Sequence, residues 1–114
     1  MITGNGIDII EIKRIANAVE RWGDAFLSHI MTDDEIAYTK KYKHPYQHIA
    51  GRFAAKEAIF KAFGDPTLTW KDVSIVNDKE GKPHCHFHRK VSRKVALSIS
   101  HSKEYAVAHC IIED

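Results

Sequence analysis

Residues 52–63, Arg-Phe-Ala-Ala-Lys-Glu-Ala-Ile-Phe-Lys-Ala-Phe, leave this chain little choice of core. They contain no Gly or Pro and are dense in Ala and other helix formers, so they read as helix. At about 100° per residue, Ala55, Ala58, Ile59, Ala62 and Phe63 fill one broad arc, and Phe53 and Phe60 stand on the other side. A helix apolar nearly all round belongs in a core or an interface. Four charges interrupt it: Arg52 and Lys56 on one edge, Glu57 and Lys61 on another, each pair spaced i, i+4. The plainer reading is a solvated basic edge plus a surface ion pair. Glu57 one turn before Lys61 has the favourable orientation and contributes about 0.2–0.5 kcal/mol, whereas Arg52 and Lys56 repel mildly. The sharper reading starts from the cost of burying charge that is neither paired nor bound to something. Two cations one turn apart suit an anion, and a carboxylate one turn from an ammonium suits a metal–phosphate site.

A length of 114 residues is that of one domain, 1–114, with a single core and little to spare. The net charge of +2 suits an anionic ligand or partner but falls well short of a nucleic-acid-binding balance. Cys85 and Cys110 fit no metal-spaced pair and are expected to be reduced, buried thiols. No charged-then-apolar leader and no bilayer-length apolar run is present, so the expected location is the cytoplasm, away from membranes.

In chain order, Ile2 to Ile10 reads as a first strand whose polar interruption is Asp8. That Asp either caps the following helix or stands opposite to Ile7 and Ile9 as a functional carboxylate. Glu11 to Trp22 has helical spacing, with Ile12, Ile15 and Val19 inward and Lys13, Arg14 and Arg21 outward. Arg14 and Arg21 share a face with Asn17 and Ala18 between them, which is either solvated or a dock for an acidic helix. Gly23 breaks the pattern, and Asp24 to Met31 forms a short amphipathic turn or helix. Thr32-Asp33-Asp34-Glu35 is a capping box that opens a helix from Asp33 toward Tyr42. Lys40, Lys41, Lys43 and His44 form a basic cluster stopped by Pro45, and the central helix begins near Tyr46 or Gln47. Gly64-Asp65-Pro66 closes it. Val73 to Asn77 and His84 to His88 alternate as a hairpin, and Leu97 to Ser100 and Tyr105 to Ile112 are two further strands. A strand, then helices, then strands predicts an α+β domain, an antiparallel sheet packed around a long central helix.

Two constellations carry chemistry. His84, His86 and His88 alternate along one strand face, which could present imidazoles to a transition metal, although partly exposed strand histidines explain them as well. The other is Asp8, Glu57 and Lys61 with Lys43, His44, Arg52 and His101 as a basic surround. Two carboxylates and a nearby cation are how Mg²⁺ is held against phosphate oxygens.

Three segments then fall in a telling order. They are Gly6-Ile7-Asp8-Ile9-Ile10-Glu11-Ile12, Ala50-Gly51-Arg52-Phe53-Ala54-Ala55-Lys56-Glu57-Ala58, and Ser98-Ile99-Ser100-His101-Ser102-Lys103-Glu104-Tyr105-Ala106. Together they resemble the holo-acyl-carrier-protein synthases, the short bacterial class of 4′-phosphopantetheinyl transferases, over nearly the whole chain. The resemblance implies Mg-dependent transfer (Mn²⁺ as an alternative ion) of phosphopantetheine from coenzyme A to a serine of an acyl carrier protein. Adenosine 3′,5′-bisphosphate is released, and fatty acid biosynthesis is served. It also implies a homotrimer with sites at subunit interfaces. By position, the resemblance puts metal on Asp8 and Glu57 and catalysis on Asp8, Glu57 and Lys61. Coenzyme A falls to Lys43, His44, Arg52, Lys61, Gly64, Pro83, His101 and Ser102, and the carrier protein to Arg14 and Arg21. Two departures stand out: His44 replaces a common Arg beside Lys43, and Gly64-Asp65-Pro66-Thr67 replaces a looser Gly-Thr-Gly. The base that takes the serine proton is Glu57 or a metal-bound water. The rival function is a non-catalytic module that binds a nucleotide or an acidic partner, and a zinc-binding regulator built on the strand histidines is a third.

Overall fold

The computed structural model describes residues 1–114. Strand β1 (Ile2–Glu11) leads into helices α1 (Ile12–Trp22), α2 (Asp24–Ile30), α3 (Asp33–Lys40) and α4 (Tyr46–Phe63). After a 3₁₀ turn at Trp70–Asp72 come β2 (Val73–Asn77), β3 (Pro83–Phe87), β4 (Lys94–His101) and β5 (Tyr105–Glu113). The expected α+β arrangement is present, but the antiparallel strands form two sheets: β1-β5-β4, and the separate hairpin β2-β3. Helix α3 stops at Lys40, short of Tyr42, because a turn intervenes before Pro45.

Helix α4 is the pillar. Ile49, Ala50, Ala54, Ala55, Ala58, Ile59 and Ala62 are buried in it, and they join Ile10, Ile15, Leu97, Ala106, Ala108, Cys110 and Ile112 in the core. The run of small residues lets strands approach its backbone. A Cβ added at Gly6 of β1 would lie 2.0 Å from the carbonyl oxygen of Ala58, and one at Gly4 would lie 2.4 Å from that of Ala62. Only glycine permits that contact. The helix ends at Gly64, whose left-handed backbone (φ 63°) lets its N–H donate back to the Phe60 carbonyl at 2.9 Å.

Lys56 and Arg52 correct the sequence reading of a solvated basic edge. Lys56 is wholly buried, pairs with Glu35, and donates to the carbonyls of Ile30 (2.8 Å) and Trp70 (3.0 Å). Glu35, expected only as a capping residue, completes the Thr32 capping box and also accepts the Ile75 backbone N–H at 2.9 Å. One carboxylate therefore joins α3, α4 and the edge of β2. Such a pair is costly to assemble in a dry core but binds its elements in a single arrangement. Cys85 and Cys110 are free, and burial pushes their thiols up to about 12 and about 11, so both stay protonated and inert.

Candidate active site

Asp8 lies within β1, pairing with Ala108 of β5, and caps no helix: the residue before α1 is Glu11, whose side chain makes no capping bond. Along β1 the alternation turns Gly6, Asp8 and Ile10 toward α4, with Asp8 half-buried, and leaves Ile7 and Ile9 exposed. The close approach at Gly6 brings this strand against the turn of α4 that carries Glu57 and Lys61. Lys61 Nζ donates to Asp8 Oδ1 at 3.1 Å and to the Ile7 carbonyl at 2.9 Å. The intrahelical Glu57–Lys61 ion pair expected from spacing gives way to this contact across elements, since Asp8 offers Lys61 a carboxylate and a carbonyl together. Burial holds the Glu57 carboxyl above its usual range; the nearby Asp8 charge adds to this and Lys61 opposes it. Two carboxylates thus crowd one spot, beside an open cavity of about 440 Å³ lined by Ile7, Asp8, Ile9, Lys61 and Val107.

Hard oxygen donors in this arrangement fit Mg²⁺, which takes one or two carboxylates and completes its shell with water and phosphate oxygens. Burial and, beyond it, the repulsion from Asp8 disfavour the charged form of Glu57, and a bound cation would offset both.

A second cleft, about 340 Å³, opens around the N-terminal half of α4. Arg52, Pro83 and His101 line it together with Tyr38, Tyr42, Gln47, His48 and Asn77. Arg52 is nearly buried; its Nη2 donates to Asn77 Oδ1 at 2.8 Å, and its guanidinium lies 4.2 Å from the Tyr38 ring centroid. Its Nε finds no partner. No carboxylate forms an ion pair with this cation; burial lowers its proton affinity and the nearby Glu35 charge partly offsets that, so the guanidinium can still take an anion in the cleft. His48 stacks on Tyr42 with centroids 3.7 Å apart, and burial, Arg52 and His101 hold its imidazole below the usual range. Sequence reasoning missed Tyr38, Tyr42 and His48. Their one signal was an aromatic pair spaced i, i+4 ahead of Arg52.

The remaining expected residues are dispersed. Lys43, His44 and Ser102 are exposed and do not line the cleft, and Gly64 stands at the far end of α4. The Gly64-Asp65-Pro66-Thr67 loop is pinned: Asp65 Oδ1 accepts from the Thr67 backbone N–H and hydroxyl, and Arg89 reaches Asp65 Oδ2 at 3.2 Å and the Thr67 carbonyl at 3.1 Å. Arg14 and Arg21 are exposed on α1, and the Arg21 guanidinium lies 4.9 Å from the Trp22 ring centroid. Of the strand histidines, His84 pairs with Asp78 at 2.9 Å, and His88 contacts Ser74.

Residues 4–110 match the model of the 4′-phosphopantetheinyl transferase superfamily. The chain is 42% identical to the holo-[acyl-carrier-protein] synthase of Koribacter versatilis, with all of both chains covered. It is 47% identical to that of Chloroherpeton thalassium, with 95% of each chain covered. The chain belongs to the holo-acyl-carrier-protein synthase family. Within that family, the Bacillus anthracis synthase in complex with coenzyme A (3′,5′-ADP) superposes with a TM-score of 0.89 at 40% identity, over 98% of this chain and 96% of the other. In this chain Asp8 and Glu57 stand together at the β1–α4 contact, and Arg52 lines the second cleft without a carboxylate in contact with it.

Proposed function

We propose that this protein transfers the 4′-phosphopantetheine group of coenzyme A to a serine of an apo acyl carrier protein, releasing adenosine 3′,5′-bisphosphate. The observation that carries this reading is the meeting of Asp8, Glu57 and Lys61 at one β1–α4 contact, in a member of this family. Asp8 and Glu57 are the ligands assigned to Mg²⁺ (Mn²⁺ as the alternative). When bound, such an ion supplies neutralisation of the pyrophosphate and polarisation of its oxygens. Lys61, exposed at the cavity and anchored by Asp8, places a further positive charge where the departing bisphosphate gains negative charge. The serine oxygen forms a bond to the phosphorus that bears the pantetheine arm. The anhydride P–O bond breaks, and the serine proton passes to Glu57 or through a water.

Arg52, His101 and Pro83, gathered in the second cleft, are assigned to the nucleotide end of coenzyme A; Lys43, His44, Ser102 and Gly64, which do not line that cleft, are assigned to coenzyme A on the family resemblance alone. Arg14 and Arg21 are assigned to the acidic carrier. Arg52 and Lys61 are nine residues apart, hence about 180° apart around one helix and ~13 Å along it. Their two cavities share no lining residue. We therefore assign the active assembly as a homotrimer in which one copy's carboxylates face the next copy's arginine cleft. Residues 1–114 act as one cytoplasmic domain supporting fatty acid biosynthesis; no helix is long and apolar enough to cross a membrane. The direct test is incubation with Mg²⁺, coenzyme A and an apo acyl carrier protein, followed by mass measurement of the carrier. An added phosphopantetheine mass is expected. Binding of coenzyme A with no change in the carrier would instead favour a non-catalytic module.

A further inference from the structure

The rings of His86 in β3 and of His88, just past its end, lie far along the chain from the carboxylate pair and are used by neither cavity described above. Their centroids are 4.9 Å apart and their planes meet at 81°. Two imidazoles bound to one divalent ion through nitrogens at about 2.0–2.1 Å have centroids roughly 4.5–5.2 Å apart for angles at the metal between square and tetrahedral. Both rings are exposed, so an ion reaches them without unfolding the hairpin.

A chain of hydrogen bonds behind His88 engages its Nε2 and leaves Nδ1 without a side-chain partner. The Glu35 carboxylate, paired with Lys56, can only accept, and Thr32 Oγ1 donates to it at 3.3 Å. Thr32 Oγ1 and Ser74 Oγ share a hydrogen bond at 3.0 Å, and Ser74 Oγ shares another with His88 Nε2 at 2.6 Å. In the arrangement where Thr32 gives its proton to Glu35 and Ser74 gives its own to Thr32, His88 Nε2–H donates to Ser74 and Nδ1 keeps a lone pair for a metal. An imidazole whose second N–H is fixed by a hydrogen bond is how proteins prepare a metal ligand. His84, the third imidazole in the alternation, is engaged by Asp78, and no group of three potential ligands forms.

We propose that His86 and His88 form a two-imidazole site for a borderline divalent transition ion, zinc or nickel, distinct from the Mg²⁺ assigned to Asp8 and Glu57. Water completes the shell, and Ser74 acts as the residue that orients His88. Imidazole nitrogen selects such ions over Mg²⁺, which prefers oxygen. The proposal does not depend on the transferase reading, since its readout is metal binding.

Calorimetric titration of tag-free protein with zinc chloride, in millimolar Mg²⁺, tests it. One saturable site per chain is expected. His86→Ala and His88→Ala should each weaken it at least tenfold, Ser74→Ala should weaken it about tenfold, and His84→Ala should leave it unchanged. Zinc should shift the ring resonances of His86 and His88 alone among the eight histidines. The exposed His86→Ala variant should keep its circular dichroism and its transferase activity, which guards against a misfolded His88 variant. Absence of saturable binding would overturn the proposal. So would zinc binding that survives His86→Ala or that His84→Ala removes.

Discussion

Glu57 carries a conflict that a bound cation would resolve: it is partly desolvated, and it faces Asp8 across the β1–α4 contact. A carboxyl whose folded-state pKa is raised contributes stability below the unfolded carboxylate pKa, about 4.3, and loses it as pH rises through the raised folded value. In Mg²⁺-free buffer at neutral pH the ionised Glu57 is therefore a burden, and Glu57→Gln should melt slightly higher than the wild type. Below pH 4 the two should converge. Addition of Mg²⁺ should raise the melting temperature of the wild type and leave that of the variant unmoved, because a ligand stabilises only the state that binds it. Transfer by the variant should fall by about 100-fold or more. A variant that responds to Mg²⁺ like the wild type would remove Glu57 from the metal site. At the other surface, Arg14→Glu with Arg21→Glu should raise the Michaelis constant for carrier protein steeply while coenzyme A binding changes little. The same weakening should follow from high salt in the wild type, since exposed charges are screened. Equal loss of both substrates in steady-state kinetics would assign α1 to the nucleotide instead.

The site exists because two elements touch without side chains between them. Gly6→Ala would set a Cβ against the Ala58 carbonyl, force β1 away from α4, and part Asp8 from Glu57. We expect a stability loss of at least about 1–3 kcal/mol, the range for overpacking, and a fall in activity beyond what the unfolded fraction explains. Urea denaturation beside kinetics on the folded protein separates the two. Lys56→Met should cost about 3–5 kcal/mol by leaving Glu35 buried and unpaired, and adding Glu35→Gln should recover much of it. The same elements show what the sequence could reveal. Helix α4, the hairpin and the capping box at Thr32 were legible because periodicity, turn residues and caps are local signals. Asp8 and Glu57 were recognisable as types but not as neighbours, since their meeting depends on Gly6 lying against Ala58, a contact 52 residues apart in the chain. The fate of Lys56 and Arg52 was hidden for a similar reason. Helical spacing placed them on one edge, but whether that edge met water or Glu35 and Asn77 was decided by α3 and β2 packing over it.

For the whole molecule, the outer face of the β1-β5-β4 sheet bears exposed Ile7, Ile9 and Tyr105, an apolar surface suited to a second copy of the chain. If each active site joins the carboxylates of one subunit to the cleft of the next, defects on the two sides need not reside in the same subunit. Glu57→Gln spoils only the carboxylate half. His101→Glu, an exposed change that sets a negative charge in the cleft, spoils only the nucleotide half. Homotrimers of either variant should be nearly inactive. When the two are mixed in equal amounts and allowed to exchange subunits, about one site in four should draw an intact Glu57 from one copy and an intact His101 from its neighbour, as random assembly around a closed ring requires. Activity should then return to about a quarter of the wild-type value, with the Michaelis constants of the wild type, because the restored sites are wholly native. A covalently crosslinked mixture prepared before exchange should stay inactive. Sedimentation should show the same trimer throughout, whereas Ile9→Glu on the sheet face should dissociate it and abolish activity with the fold retained. Failure of the mixture to recover activity, with subunit exchange verified by mass, would mean that each copy holds a complete site. Arg52 and Lys61 would then have to reach one coenzyme A from opposite sides of a single helix.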